Sequence, residues 1–121
     1  MDLVEMIYQA SAQFPQVEVF GLTSQLRRAV VSVPSNIAEG HTREHLNEYI
    51  HHLSIAHASL AEVETQIEIA CRLRYIDNTD VAAIRNEVSA LSRQLRALRN
   101  ALEAKRAVRL TQHPTPNTQH P

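Results

Sequence analysis

Two long apolar ladders constrain this chain more than any other feature of its sequence. Leu46, Tyr49, Leu53, Ala56, Leu60, Val63, Ile67 and Ala70 recur at alternating intervals of three and four residues, and so do Val81, Ile84, Val88, Leu91, Leu95, Leu98 and Leu102. This spacing puts each set on one stripe of an α-helix with a repeat close to 3.5, and such a stripe must be buried against another helix. The ladders are joined only by the short turn RYID at residues 74–77, so the two helices should lie antiparallel with left-handed supercoiling.

Two shorter apolar patterns precede them. Leu3, Ile7, Ala10 and Phe14 form an amphipathic helix that stops before Pro15, and the loop PQVEVFG brings Val17, Val19 and Phe20 to plug one end of the core. A second helix opens at Leu22 or Thr23, with Thr23 as N-cap, runs through Leu26, Ala29, Val30, Val33 and Ile37, and is terminated by Gly40. Pro34 should bend or break it, because the ring lacks an N–H and clashes with the Val30 carbonyl; Ser32 is the hydroxyl nearest to a restarted turn. The third helix starts from Thr42. The fourth has Asp77 as N-cap and Asp80 at N3, with Ile76 and Val81 stapled around them.

Helices are therefore expected over 3–14, 22–39, 43–73 and 77–104. The fold class is all-α: an antiparallel up-down four-helix bundle with a kinked second helix. One domain covers 1–106, and a disordered C-terminal tail, 107–121, carries TQHP twice with no apolar periodicity.

Composition removes several function classes. A net charge of −1 gives no global argument for nucleic acid or anionic lipid, although the segment from Asp77 onward carries seven bases and four acids. The single cysteine, Cys71, excludes an internal disulfide and falls at the edge of the third helix's apolar face, where it reads as a small hydrophobe. No run of apolar residues is long enough to span a membrane and the first residues lack a signal-peptide pattern, so a cytoplasmic protein is expected.

Catalytic chemistry finds little support. His41, His45, Glu48 and His52 share a helical sector, and Glu48 with His51 matches the Glu-x-x-His spacing of di-iron bundles. That sector lies about 100° or more from the apolar ladder, and no second inward Glu-x-x-His exists, so solvated histidines are expected and no metal. His57 falls near the apolar side as an ordinary hydrogen-bonded imidazole. Neither Gly21 nor Gly40 belongs to a phosphate loop, and no glycine-rich turn presents a serine. The expectation is a non-enzyme with no catalytic residue and no cofactor.

Two polar features remain. Gln25, Arg28, Ser32, Asn36 and Glu39 form a stripe on the second helix, about 90–120° from its apolar face. It reads as solvated surface with local capping, or as a contact to a neighbouring helix or a second subunit. On the last helix Arg85, Arg93, Arg96 and Arg99 flank the leucine ladder, as a solvated face, as subunit salt bridges, or as contacts to phosphates without interleaved aromatics to stack bases.

The runs FGLTSQLRRAVVSVPSNIAEG (residues 20–40) and IAHASLAEVETQIEIACRLRYI (55–76) resemble the four-helix-bundle family first noticed as products of intervening sequences in bacterial 23S ribosomal RNA genes. The resemblance covers about residues 3–104. Its hallmark positions include Gly21, Gln25, Arg28, Ser32, Pro34, Asn36, Glu39, Gly40, Glu62 and Gln66, and it departs at Ala58 and Arg74, where glycine is usual. The resemblance implies a cytoplasmic homo-oligomeric ring, typically a pentamer, without enzymatic activity and with its partner unknown. It also implies a distant relation to retroelement accessory bundles, which are basic and bind nucleic acid. The reading is thus an assembly protein, with a nucleic-acid-binding accessory protein using the basic face of the fourth helix as the alternative.

Overall fold

The computed structural model describes residues 2–112. Among the described residues there are four α-helices, α1 (Asp2–Ser11), α2 (Leu22–His41), α3 (Leu46–Arg72) and α4 (Asn78–Gln112), with a 3-10 turn at Gln16–Glu18 between the first two. α1 packs on α2 and α4, α2 on α3, and α3 on α4, while the backbones of the diagonal pairs do not approach closely among the described residues. The fold is therefore an up-down-up-down bundle, as the ladders predict. Leu53, Ala56, Leu60, Val63, Ile67 and Ala70 from α3 and Val81, Ile84, Val88 and Leu95 from α4 are buried, and they meet Leu26, Ala29, Val30 and Val33 of α2 and Leu3, Ile7 and Ala10 of α1 in one core. α1 is half as long as α2, so Ile37, Leu98 and Leu102, toward the other end of the bundle, are only half-buried.

The predicted cap of α4 is present: the Asp80 N–H donates to Asp77 Oδ1 at 2.8 Å, and the Val81 N–H to the Asp77 carbonyl at 3.0 Å. Other ends differ from expectation. Thr23 does not cap α2 but is buried in its first turn, and Gly21 is the N-cap. Glu18 supplies the missing acceptor instead, taking the Leu22 N–H on Oε1 at 3.1 Å. Gly40 does not end α2 either. It lies inside the helix, where an added Cβ would stand 2.9 Å from His52 Cβ and 3.0 Å from Tyr49 Cδ1, so its role is close approach of α2 to α3. Thr42, expected to open α3, closes α2 by donating its hydroxyl to the Glu39 carbonyl at 2.8 Å.

α2 also runs through Pro34 without a break. The proline deprives the Val30 carbonyl of its donor, but the next turn is reinforced, since Asn36 Nδ2 donates to the Ser32 carbonyl at 2.9 Å, and Val30 and Val33 are fully buried. Val17 and Phe20 do not plug the core: they are 85% and 95% exposed. The 3-10 turn directs Phe14 and Glu18 inward in their place, Phe14 against the Tyr75 ring at 5.6 Å and Glu18 Oε2 accepting the Tyr75 hydroxyl at 2.9 Å.

The boundary of the predicted tail shifts as well. α4 continues over 107–112, where Ala107 and Leu110 favour helix and Lys105, Arg106 and Arg109 suit the negative end of its dipole. The rest of that tail, 113–121, lies outside the described residues.

Candidate functional site

The polar stripe of α2 divides into parts with different partners. Its centre is a seam to α3: the Ser32 and Ser59 hydroxyls are 2.8 Å apart, Asn36 Nδ2 donates to Ser32 Oγ at 3.0 Å, and Asn36 Oδ1 lies 3.1 Å from His52 Nδ1. These bonds satisfy polar groups that helix packing would otherwise strand, Ser59 being buried. Glu39, at the far end, is held by Arg43 from the loop just beyond the end of α2. Gln25 and Arg28 are exposed and share a groove with Ser59, Glu62 and Gln66 of α3. Arg28 and Glu62 do not form an ion pair there, and Gln66 Oε1 is buried without a hydrogen-bond partner among the described residues.

The arginines of α4 divide too. Arg85 is bound to Glu68, which also takes Arg72 Nε on its other oxygen at 2.9 Å. Hydrogen bonding from Arg72, with the nearby charges of Arg85 and Arg72, holds the Glu68 carboxyl below its usual range against the opposing effect of desolvation. Arg85 is therefore engaged by a carboxylate of α3, which sets it apart from the other three arginines of the set. Arg93, Arg96 and Arg99 have no carboxylate within ion-pair distance among the described residues. They follow one another at intervals of three, on the flank of α4 that faces α3. Farther along the same flank Arg106 Nη1 donates to Asn47 Oδ1 at 3.0 Å.

At the start of this arginine run α3 and α4 leave a cleft of about 280 Å3, floored by Leu60 and Val88 and edged by His57, Glu64, Ser89, Ser92 and Arg93. His57 Nε2 is 3.1 Å from Ser92 Oγ. Burial lowers the pKa of His57 below that of an ordinary imidazole, and the charges of Arg99 and Arg96 lower it further.

Sequence reasoning placed His57 near the apolar side but gave no hint of Ser92, 35 residues away, or of Glu68 as the clamp on Arg85. Both cross-helix pairs depend on the register of α3 against α4, which the ladders leave free by whole turns. The histidine-rich segment does not assemble into a centre. His45 lies outside α3, His41 belongs to α2 and contacts Tyr49, and His52 is engaged by Asn36. Among the described residues no group of three or more His, Cys, Asp or Glu side chains could hold a metal ion. Cys71 is a half-buried free thiol packed on the core. No helix among the described residues is long and apolar enough to cross a membrane.

In comparison with known families, the family described as 23S rRNA-intervening sequence protein matches residues 1–97. No curated protein matches the chain.

Proposed function

The chain belongs to the 23S rRNA-intervening sequence protein family, and from that premise we propose that it is a non-catalytic, cytoplasmic binding protein whose α4 arginines hold the phosphates of a nucleic acid. The observation that carries this reading is the run Arg93, Arg96 and Arg99, three guanidinium groups at intervals of three residues that have no carboxylate within ion-pair distance among the described residues, while Glu68 occupies Arg72 and Arg85. Guanidinium groups in this state are suited to charge-assisted bonds with phosphate oxygens. A kinship with retroelement accessory bundles belongs to the same proposal, though the net charge of −1 sets this chain apart from those basic proteins. The test is RNA binding over a salt series. Affinity should fall steeply with salt, and replacing Arg93 and Arg96 by Ala should reduce the slope by about two. Absence of binding at 50 mM salt ends the reading.

A second reading, assembly into a homo-oligomeric ring, is favoured by a different observation: Arg28 and Glu62 line one groove without pairing among the described residues, and Phe20, just before the start of α2, is 95% exposed. The number five comes from the family resemblance alone.

A further inference from the structure

The cleft between α3 and α4 holds more than a phosphate needs. An anion seated inside the cleft would lie over the apolar side chains of Leu60 and Val88 and face the carboxylate of Glu64, which accepts hydrogen bonds and offers none when ionised. Both features oppose a phosphate. A flat heteroaromatic ring with N–H donors fits them. Its faces suit an apolar floor, and its donors suit Glu64.

The side walls agree. His57 and Arg93 stand on opposite helices at the cleft, and both present planar groups on which bases stack. A ring nitrogen makes its hydrogen bond through an N–H or lone pair in the plane of the imidazole, so the contact of His57 Nε2 with Ser92 Oγ at 3.1 Å does not call on the ring faces. At about 280 Å3 the cleft is below the ordinary range for drug-sized ligands, roughly 300–1,000 Å3, and has room for one base but not for a base pair.

Resting on the arginine reading of the preceding section, the geometry points to a more specific ligand: a single-stranded nucleic acid, one unstacked guanine of which enters the α3/α4 cleft while its flanking phosphates lie on Arg93, Arg96 and Arg99. Guanine is distinguished from the other bases by the adjacent N1–H and N2–H donors of its Watson–Crick edge, which a carboxylate accepts as a pair. Glu64 is the specificity-determining residue. It is exposed and free of ion pairs among the described residues, so its replacement does not endanger the fold.

Fluorescence anisotropy with the full chain decides this. Two labelled RNAs are compared, a uridine dodecamer and the same strand with one central guanosine. The guanosine strand should bind at least about fivefold more tightly, the lower end of what a bidentate base contact contributes. Glu64→Gln should abolish that preference and leave the salt slope unchanged. Equal affinity for the two strands, or a preference that survives Glu64→Gln, overturns the base seat even where salt-dependent binding persists and the arginine reading stands. Tighter binding to a duplex of the guanosine strand overturns it too. If neither strand binds, the arginine reading fails together with the base seat.

Discussion

His57 Nε2 on α3 lies 3.1 Å from Ser92 Oγ on α4, next to Arg93, Arg96 and Arg99, which form no ion pair among the described residues. Burial and then the charges of Arg99 and Arg96 depress the folded-state pKa of His57. Below about pH 6.5, where an exposed histidine takes up its proton, the unfolded chain therefore binds more protons at this position than the folded one. The contribution is present above that pH and is lost as the pH falls through the lower folded value. His57→Gln should accordingly show a smaller loss of urea midpoint between pH 7.5 and pH 5.5 than the wild type. Identical losses in the two proteins would show that His57 plays no part in the acid sensitivity.

How much of this was legible in the sequence depends on the range of the interaction. Every core member of the two ladders is buried or half-buried, because a period of 3.5 specifies a face without reference to a partner. The Asp77 cap was equally local. Ends that borrow from elsewhere were not: Glu18 serves the start of α2, and Gly40 answers to side chains of α3. For Gln25, Arg28, Ser32, Asn36 and Glu39 the sequence located the stripe and its angle, but the division into seam, ion pair and open groove required the positions of Ser59, His52 and Arg43. Phe20 was misread for a related reason. Apolar character predicts burial only where a neighbouring element can cover it, and the 3-10 turn points this ring outward.

Arg74 sits at the C-terminal end of α3 with φ 63°, in the left-handed region. The bonds from Tyr75 N to the Ala70 carbonyl at 2.9 Å and from Arg74 N to the Cys71 carbonyl at 3.0 Å close the helix in the manner of a Schellman cap. A side chain in this conformation costs about 1–2 kcal/mol, part of which glycine returns through the greater entropy of its unfolded state. Arg74→Gly should raise stability by about 1 kcal/mol in a denaturant titration. A destabilised variant would show that the arginine side chain supplies compensating contacts.

Gly40 makes the opposite prediction. In an ordinary helix interior Gly→Ala is favourable by about 1 kcal/mol. Here the new methyl would meet His52 Cβ at 2.9 Å, an atom fixed to the backbone of α3, and Tyr49 Cδ1 at 3.0 Å. The helices must separate along the Ser32, Asn36 and His52 seam. Gly40→Ala should thus destabilise by about 1–3 kcal/mol, the usual range for overpacking, and lower the thermal midpoint. An unchanged or higher midpoint would mean that α2 and α3 can part at this end without loss.

The groove holding Arg28 and Glu62 supports a prediction about assembly. Opposite charges share it without pairing, Gln66 Oε1 is buried beside them without a donor, and Glu39 is already taken by Arg43. The free groups of the stripe are therefore Gln25 and Arg28, at the opposite end from Glu39. In a ring, each subunit offers this groove to a different surface of its neighbour. If a neighbour's carboxylate reaches Arg28 and loses its water in doing so, truncating the arginine leaves that carboxylate buried and unpaired, a loss of more than about 2 kcal/mol per interface. Multi-angle light scattering at micromolar concentration should then give a multiple of 13.6 kDa for the wild type and a smaller particle for Arg28→Ala, with helicity unchanged by circular dichroism. A wild type that elutes as a monomer would end the ring reading. An oligomer unaffected by either Arg28→Ala or Glu62→Ala would move the interface elsewhere and leave the stripe as the internal seam between α2 and α3.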